Sequence, residues 1–294
     1  MKIGFIGLGI MGRPIVEHMI KNRLDVMVSD LNETVVNEVS AEGATSGSYK
    51  ELAESCDIVE MILPNASIVK EVIFGENGIA EYMAKGKIIV DHSSVTADDS
   101  RECYTRLKEK GIQFLDAPVS GGETGAQAGT LAIMVGGDED SFNICKPIFE
   151  TYGASATLIG NSGSGSICKL ANQIIVNNNI AIVAEALTFA AKAGVDPEKV
   201  YKAIETGSAR SYALTDKAPM MVDRNFKPGG TIKVNHKDIT NVINTAHAID
   251  CPIPYTAQLY EIQQTLKAHD LMNEDHAAYV KYFETLANTK VERK

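Results

Sequence analysis

The sequence predicts a doubly wound, mainly parallel α/β domain followed by an all-α domain with a long helix between them. In the first half, short apolar runs alternate with helix-compatible segments, which is the pattern of βαβ units. A glycine-rich turn, GLGIMG at residues 7–12, follows the first of these runs. No convincing strand pattern occurs after Ile159, and long helical patterns fill the rest of the chain.

The apolar runs of the first half are the predicted strands. They lie at residues 2–6, 24–29, 57–63, 87–90, 112–115 and 131–135. Turn-forming residues end several of them, including Pro64-Asn65 and Ser93-Ser94. Because ligands bind such sheets at the carboxyl ends of the strands, these turns are candidate site loops.

The domain boundary is predicted near residue 161, where the string NSGSG begins. This gives a first domain at residues 1–161 and a helical domain at residues 162–294. The stretch 166–193 contains neither proline nor glycine and has apolar residues on more than one face, which indicates a helix buried between partners. Further helical patterns lie at residues 197–205, 237–248, 256–267 and 274–288.

Composition narrows the functional classes. The chain has 294 residues, and 28 basic against 38 acidic side chains give a net charge of −10, which disfavours a nucleic-acid partner. No apolar run reaches the roughly 18 residues of a membrane span. Five scattered cysteines without a CxxC pair favour reduced thiols in the cytoplasm, and the histidines and carboxylates show no metal-ligand spacing.

The glycine-rich turn predicts a dinucleotide site of the Rossmann type. Gly7 permits a tight turn, Gly9 lets the backbone approach a pyrophosphate, and Gly12 lets helix and strand pack closely. Asp30 ends the second predicted strand and would accept hydrogen bonds from a ribose 2′-hydroxyl while repelling a 2′-phosphate. NAD is therefore the predicted cofactor and NADP the less favoured one, although Asp30 also fits a solvated turn.

A second candidate site follows a later strand. Residues 116–122 read DAPVSGG, so one hydroxyl and closely spaced backbone N–H groups form an anion nest that suits a substrate carboxylate. The alternative is a flexible loop. The residues of this nest are Ser120, Gly121 and Gly122.

Lys169 is the candidate proton donor. It shares a helix face with Asn172 on an otherwise apolar helix, where desolvation would lower its pKa toward the range useful for proton transfer. Reduction of a carbonyl needs such a donor, and the Asn172 amide could orient it. A lysine that snorkels at the helix start is the alternative, and Lys237-Asp238 on a later helix reads equally well as a solvated pair.

These motifs together resemble the β-hydroxyacid dehydrogenase family, the enzymes related to 3-hydroxyisobutyrate dehydrogenase. The resemblance spans essentially the whole chain and includes GFIGLGIMG at 4–12, DAPVSGG at 116–122, KLAN at 169–172 and KD at 237–238. It implies a homodimer or homotetramer assembled through the helical domain.

The resemblance also implies roles for individual residues. Lys169 would be the general acid in reduction and the general base in oxidation, with Asn172 assisting, and the nest would bind the substrate carboxylate. Lys237 would lie near the cofactor, which favours a functional role for it over the solvated pair. The remaining implied cofactor contacts are Ile10, Met11, Leu63, Pro64, Asn65, Ser94 and Thr96.

Several strings, among them LPN at 63–65 and DRNFKPG at 223–229, resemble a subgroup acting on 2-hydroxy-3-oxopropionate (tartronate semialdehyde). That subgroup usually carries an aromatic and a basic residue after its Lys-Pro-Gly, where this chain has Gly230 and Thr231. The string SARSYA at 208–213 instead resembles a branch acting on 2-(hydroxymethyl)glutarate. Arg210 could there hold a second carboxylate through a bidentate pair, or it is a surface residue.

Two other functions fit the sequence less well. A non-catalytic dinucleotide-binding module would not need Lys169. A phosphorylated-sugar-acid dehydrogenase of the 6-phosphogluconate type would need a clustered basic phosphate site, which the sequence does not clearly show.

Overall fold

The computed structural model describes residues 1–293, which form two compact units. One unit covers Met1–Lys169 and the other begins at Leu170. Helix α9 (Ser164–Lys192) runs across this division, and its first turn belongs to the first unit. We retain residue 161 as the proposed domain boundary, at the turn just before this helix.

The first unit contains a mainly parallel sheet, as the sequence predicted. Across the described residues the strand order is β3-β2-β1-β4-β5-β6-β8-β7, with β9 beside β8. Every pair from β3 to β6 is parallel, and β8 runs antiparallel to both β6 and β7. The strands are β1 (Lys2–Ile6), β2 (Asp25–Ser29), β3 (Thr45–Ser46), β4 (Ile58–Met61), β5 (Ile88–Asp91), β6 (Gln113–Asp116), β7 (Val119–Ser120), β8 (Leu131–Gly137) and β9 (Gly153–Gly160).

Strands β3, β7 and β9 were not predicted. Two of them have only two residues each, too few to show a side-chain alternation. Strand β9 lies at the edge of the sheet beside β8, and its side chains are largely exposed or half-buried. It therefore lacks the apolar run by which the buried strands were recognised.

Helices cover both faces of this sheet. Ile3 and Ile58 belong to one hydrophobic core, whereas Ile6 and Val59 belong to another, because successive side chains of a strand point to opposite faces. The helices of the first unit are α1 (Gly12–Lys21), α2 (Glu33–Ala41), α3 (Tyr49–Ser55), α4 (Ala66–Phe74), α5 (Ile79–Tyr82), α6 (Ala97–Glu109), α7 (Gly122–Ala128) and α8 (Glu139–Phe149).

The second unit is helical in its described part, as predicted. Thr231 caps α12 by accepting from the Val234 N–H, which places the start of this helix before the predicted residue 237. Helix α11 was not predicted, and it contains Pro219. The helices after α9 are α10 (Pro197–Ile204), α11 (Tyr212–Val222), α12 (Ile232–Ala248), α13 (Pro254–Ala268) and α14 (Val280–Ala287), with a 3₁₀ turn at His276–Tyr279.

Helix α9 is long and apolar enough to cross a membrane by length and composition alone. Half of its most apolar 18-residue window is nevertheless buried inside the protein. Its buried side chains include the polar Gln173 and Asn177, whose amides make hydrogen bonds. These features are typical of a core helix.

A buried carboxylate organises the turn before α12. Asp275 accepts the backbone N–H groups of Gly229, Gly230 and Ala277, and Lys217 Nζ lies 3.3 Å from its Oδ1. His276 beside it is 9% exposed, and burial lowers the pKa of its imidazole to about 4. The folded state therefore holds His276 neutral.

Replacement of His276 by Gln should flatten the pH dependence of stability. The pKa of His276 is lower in the folded state than in the unfolded state, so the imidazole is protonated in the unfolded chain but not in the folded one as the pH falls from 6.5 to 4. This proton uptake stabilises the unfolded state. We expect the wild type to lose about 3 kcal/mol more unfolding free energy than His276→Gln over this range. Denaturant unfolding at several pH values measures this, with His247→Gln at an exposed position as control. Parallel pH profiles for His276→Gln and wild type would contradict the prediction.

Candidate active site

The glycine-rich turn connects β1 to α1 in a conformation that requires its glycines. Gly7 has a φ of +97°, and a Cβ there would lie 2.4 Å from the Ile62 carbonyl oxygen. A Cβ on Gly12 would lie 1.9 Å from the Gly7 carbonyl oxygen, so the helix can start this close to the strand only with glycine. A Cβ on Gly9 would meet open space. The backbone at Gly9 is thus accessible, as approach of a pyrophosphate requires.

Asp30 lies beside this turn. Its carboxylate accepts the Leu8 N–H over 2.6 Å and the Asn32 N–H over 2.8 Å, which joins the end of β2 to the glycine turn. Asp30, Leu8 and Gly9 line an open pocket of about 430 Å³. Each carboxylate oxygen can accept more than one hydrogen bond, so the carboxylate fits a ribose hydroxyl. Of the other turn residues, Ile10 is 67% exposed and Met11 directly precedes α1.

Arg13 lines the same pocket, but carboxylates surround its guanidinium. It contacts Glu17 at 2.8 Å, Glu38 at 2.6 Å and Glu42 at 3.2 Å. Hydrogen bonds to Glu17 and Glu38 raise the pKa of the guanidinium. The positive charge of Arg13 is therefore compensated within the protein.

A hydrogen bond links the segment that follows β4 to the segment that follows β5. The Leu63 N–H donates to Ser93 Oγ over 2.8 Å, and the predicted cofactor contacts Pro64 and Ser94 lie on these two segments. The side chains of Asn65 and Thr96 cap helices α4 and α6. Both segments follow neighbouring parallel strands, where a doubly wound sheet binds its ligand.

The predicted carboxylate nest and Lys169 come together. Gly121 and Gly122, with φ values of +140° and +62°, follow Ser120 at the start of α7. Lys169 Nζ donates to the carbonyl oxygen of Val119 over 2.8 Å. The half-buried ammonium is thus attached to the residue that precedes the nest, within the first unit.

The remaining predicted polar residues lie in the second unit, where two of them share a hydrogen-bonded chain. The Asn172 amide donates to Gln173 Oε1 over 3.0 Å, and the Gln173 amide donates to Asp238 Oδ2 over 2.6 Å. Lys237 Nζ lies 3.1 Å from Asp238 Oδ1. Asn172 and Lys237 are therefore linked through two buried side chains.

Gln173 and Asp238 are the two residues of this hydrogen-bonded series to which the sequence analysis gave no role. A signal was present, because Gln173 is a polar residue one helical turn after Lys169 on an apolar helix. Arg210 is exposed on the segment between α10 and α11.

Comparison with known proteins identifies the family. A family model described as the NAD binding domain of 6-phosphogluconate dehydrogenase matches residues 2–160. A second, described as NAD-binding of NADP-dependent 3-hydroxyisobutyrate dehydrogenase, matches residues 163–283. Both parts of the chain therefore match domains of NAD(P)-dependent dehydrogenases.

Full-length relatives agree with these matches. The chain is 42% identical to 2-hydroxy-3-oxopropionate reductase of Escherichia coli (strain K12), covering 99% of this chain and 100% of the relative. It is 36% identical to 2-(hydroxymethyl)glutarate dehydrogenase of Eubacterium barkeri, covering 99% and 97%. The crystal structure of 3-hydroxyisobutyrate dehydrogenase from Salmonella typhimurium superposes with a TM-score of 0.87 at 28% identity, covering 96% and 99% of the two chains.

Sequence and structure thus agree on an NAD-binding oxidoreductase with a mainly parallel Rossmann domain and a helical second domain. The chain belongs to the β-hydroxyacid dehydrogenases related to 3-hydroxyisobutyrate dehydrogenase.

Proposed function

We propose that this protein is an NADH-dependent reductase of 2-hydroxy-3-oxopropionate, with Lys169 as its general acid and base. The observation that carries the proposal is the hydrogen bond from Lys169 Nζ to the Val119 carbonyl. It fixes a proton donor next to Ser120, Gly121 and Gly122, which are suited to a carboxylate. A β-hydroxy acid or its semialdehyde has a carboxylate close to the reacting carbon, as this arrangement requires.

In the proposed reaction, the Ser120 hydroxyl and the backbone N–H groups of Gly121 and Gly122 hold the substrate carboxylate. NADH, when bound at the glycine turn, supplies the hydride that reduces the aldehyde carbon. The Lys169 ammonium donates a proton to the carbonyl oxygen as negative charge develops there, and the neutral amine regains a proton from solvent. In oxidation the neutral amine removes the hydroxyl proton. We assign Asn172 to assist Lys169, and Lys237 to the cofactor.

NAD is the proposed cofactor because the adenosine end of the site is acidic. Asp30 would accept from ribose hydroxyls and repel a 2′-phosphate. Arg13, the cation beside it in the pocket, is held by three glutamates and so provides little net attraction for a phosphate. NADP is the second choice.

A dicarboxylic semialdehyde is the second candidate substrate. Arg210 favours it, because an exposed guanidinium can pair with a second carboxylate through two parallel hydrogen bonds. The 36% identity to a 2-(hydroxymethyl)glutarate dehydrogenase supports the same alternative.

We further propose a cytoplasmic homodimer or homotetramer assembled through the helical domain. Ile175, Ile182 and Phe189 are 61%, 59% and 77% exposed on α9, and their spacing of seven residues makes them one apolar stripe along the helix. A second copy of the chain is the proposed partner, since a stripe of this kind is typical of helix–helix interfaces. The five cysteines are free thiols, which fits a reducing compartment.

Replacement of Lys169 by Ala tests the catalytic assignment. We expect kcat with 2-hydroxy-3-oxopropionate to fall by about 100- to 10,000-fold, the range for loss of a general acid. NADH should still bind, which NADH fluorescence measures. Lys192→Ala, at an exposed position on the same helix, is the control. Near-normal turnover of Lys169→Ala would refute the assignment.

A substrate panel separates the two candidate substrates. It should contain 2-hydroxy-3-oxopropionate, succinic semialdehyde, methylmalonate semialdehyde and 2-formylglutarate. We expect the highest kcat/KM for the first. A preference for 2-formylglutarate that Arg210→Ala abolishes would instead establish the dicarboxylic alternative.

Replacement of Asp30 by Ser should shift cofactor selectivity toward NADPH. The change removes a negative charge and supplies a hydroxyl, and we expect the NADH to NADPH ratio of kcat/KM to fall by about tenfold or more. Steady-state kinetics with both cofactors measure it, with the exposed Asp57→Asn as control. A wild type that prefers NADPH would contradict the role of Asp30.

The assembly is tested at the apolar stripe. We expect light scattering to give two or four times the 31.7 kDa of one chain. Ile182→Glu should lower this mass because it buries a charge in the interface, whereas Lys192→Glu should leave it unchanged. A wild-type mass of one chain would contradict the proposal.

A further inference from the structure

Three buried polar side chains meet in the first unit. Glu60 on β4, His92 directly after β5 and Tyr152 before β9 are each at most 1% exposed. The Tyr152 hydroxyl donates to Glu60 Oε2 over 2.8 Å, and His92 Nε2 lies 3.1 Å from the same oxygen. We call these three residues the buried cluster. Burial lowers the pKa of the His92 imidazole, but the hydrogen bond and charge of Glu60 outweigh it and leave that pKa above its usual value.

Aromatic rings hold the imidazole in place. Phe5 stacks on it with ring centroids 6.5 Å apart, and Phe149 and Tyr152 meet it edge-on at 6.0 and 5.9 Å. Such packing fixes the ring in one orientation. The two nitrogens of His92 therefore point in defined directions.

Stability alone does not explain the cluster. Glu60 Oε1 has no hydrogen-bond partner among the described residues although it is buried, and a buried carboxylate in this state is costly. Apolar side chains of similar volume often make a core as stable or more stable than a buried ion pair does. What the cluster adds is a fixed geometry.

His92 connects two parts of the proposed active site. Its Nδ1 lies 2.7 Å from the Ala117 carbonyl oxygen, two residues before Val119, the acceptor for Lys169. On its other side the chain continues directly into Ser93, which accepts from the Leu63 N–H. We call residues 117–122 the catalytic segment and residues 93–96 the cofactor segment. The His92 imidazole contacts the first, and His92 directly precedes the second in sequence.

We propose that the buried cluster of Glu60, His92 and Tyr152 is a positioning element that sets the spacing between the cofactor segment and the catalytic segment. This inference rests on the proposed function, in which the first segment contacts the cofactor and the second holds the substrate carboxylate and accepts the hydrogen bond of Lys169. Turnover depends steeply on that spacing, because a misplacement of about 1 Å can cost 100-fold in rate. His92 acts through its neighbours and does not itself meet the substrate.

The matched variants His92→Asn and His92→Leu test the proposal. The two new side chains have similar shapes, but only Asn can donate to the Ala117 carbonyl. We expect His92→Leu to lower kcat by about 10- to 100-fold with little change in NADH affinity. His92→Asn, which keeps the donor to Ala117 but loses the contact with Glu60, should lower kcat only several-fold. Val39→Ala, which opens a cavity in the same core away from the cluster, should lower stability without lowering kcat. A normal kcat in His92→Leu, or an equal loss in His92→Asn, would overturn the proposal.

Tyr152→Phe keeps the ring and removes only the donor to Glu60, so it serves if His92→Leu does not fold. We expect a several-fold lower kcat at unchanged NADH affinity, and an unchanged kcat would overturn the role of the cluster.

Hydrogen exchange provides a readout that needs no substrate. The Ala117 amide donates to the Asp91 carbonyl, and the Leu63 amide donates to Ser93 Oγ. His92→Leu, or Tyr152→Phe in its place, should speed hydrogen exchange at both of these amides. The amides of β1 and β2 should keep their protection. Unchanged exchange at both amides would overturn the inference even if turnover fell. A wild type that reduces no semialdehyde in the panel, yet shows these exchange changes on mutation, would refute the proposed function alone.

Discussion

The buried carboxylate of Asp116 determines where α9 begins, and the proposed chemistry depends on that position. It accepts the Gly163 N–H over 2.7 Å and the Ser166 N–H over 2.9 Å. Burial raises the pKa of this carboxyl, and the two donated hydrogen bonds act in the opposite direction. A Cβ on Gly165 would lie 2.3 Å from the Met134 carbonyl oxygen, so the first turn of the helix lies directly against the sheet. This close approach brings Lys169, one turn later, within reach of the Val119 carbonyl.

In the proposed reaction, backbone amides rather than side-chain cations bind most of the anionic groups. At a net charge of −10, the protein must bind an anionic cofactor and, in the proposed reaction, an anionic acid. Arg13 lines the pocket beside the glycine turn, but glutamates compensate its charge. We propose that backbone N–H groups of the glycine turn at residues 7–12 and of the nest at 120–122 serve instead, because they attract anions without a mobile side chain. Lys169 can then serve in proton transfer, because the carboxylate has other ligands.

Features that depend on neighbouring residues could be predicted from the sequence, whereas contacts between residues far apart in sequence could not. The roles of Gly7, Gly9 and Gly12 follow from spacing within one turn, so the sequence could indicate them. The contacts of Glu60 with His92 and Tyr152 join residues 32 and 92 positions apart, and no periodicity reports such a pairing. Strand β9 was not predicted for a different reason, because its edge position leaves it without an apolar run.

The turn before α12 bears on substrate choice. Where the 2-hydroxy-3-oxopropionate subgroup usually has an aromatic and a basic residue, this chain has Gly230 and Thr231. The structure gives each a structural task, because the Gly230 N–H donates to Asp275 and the Thr231 hydroxyl caps α12. A Cβ on Gly230 would lie 3.4 Å from His276 Cε1, so a side chain there would contact the His276 ring. Positions 230 and 231 therefore supply no cation for a second substrate carboxylate. If the substrate is dicarboxylic, the second charge must be met elsewhere, and exposed Arg210 has the chemistry for it.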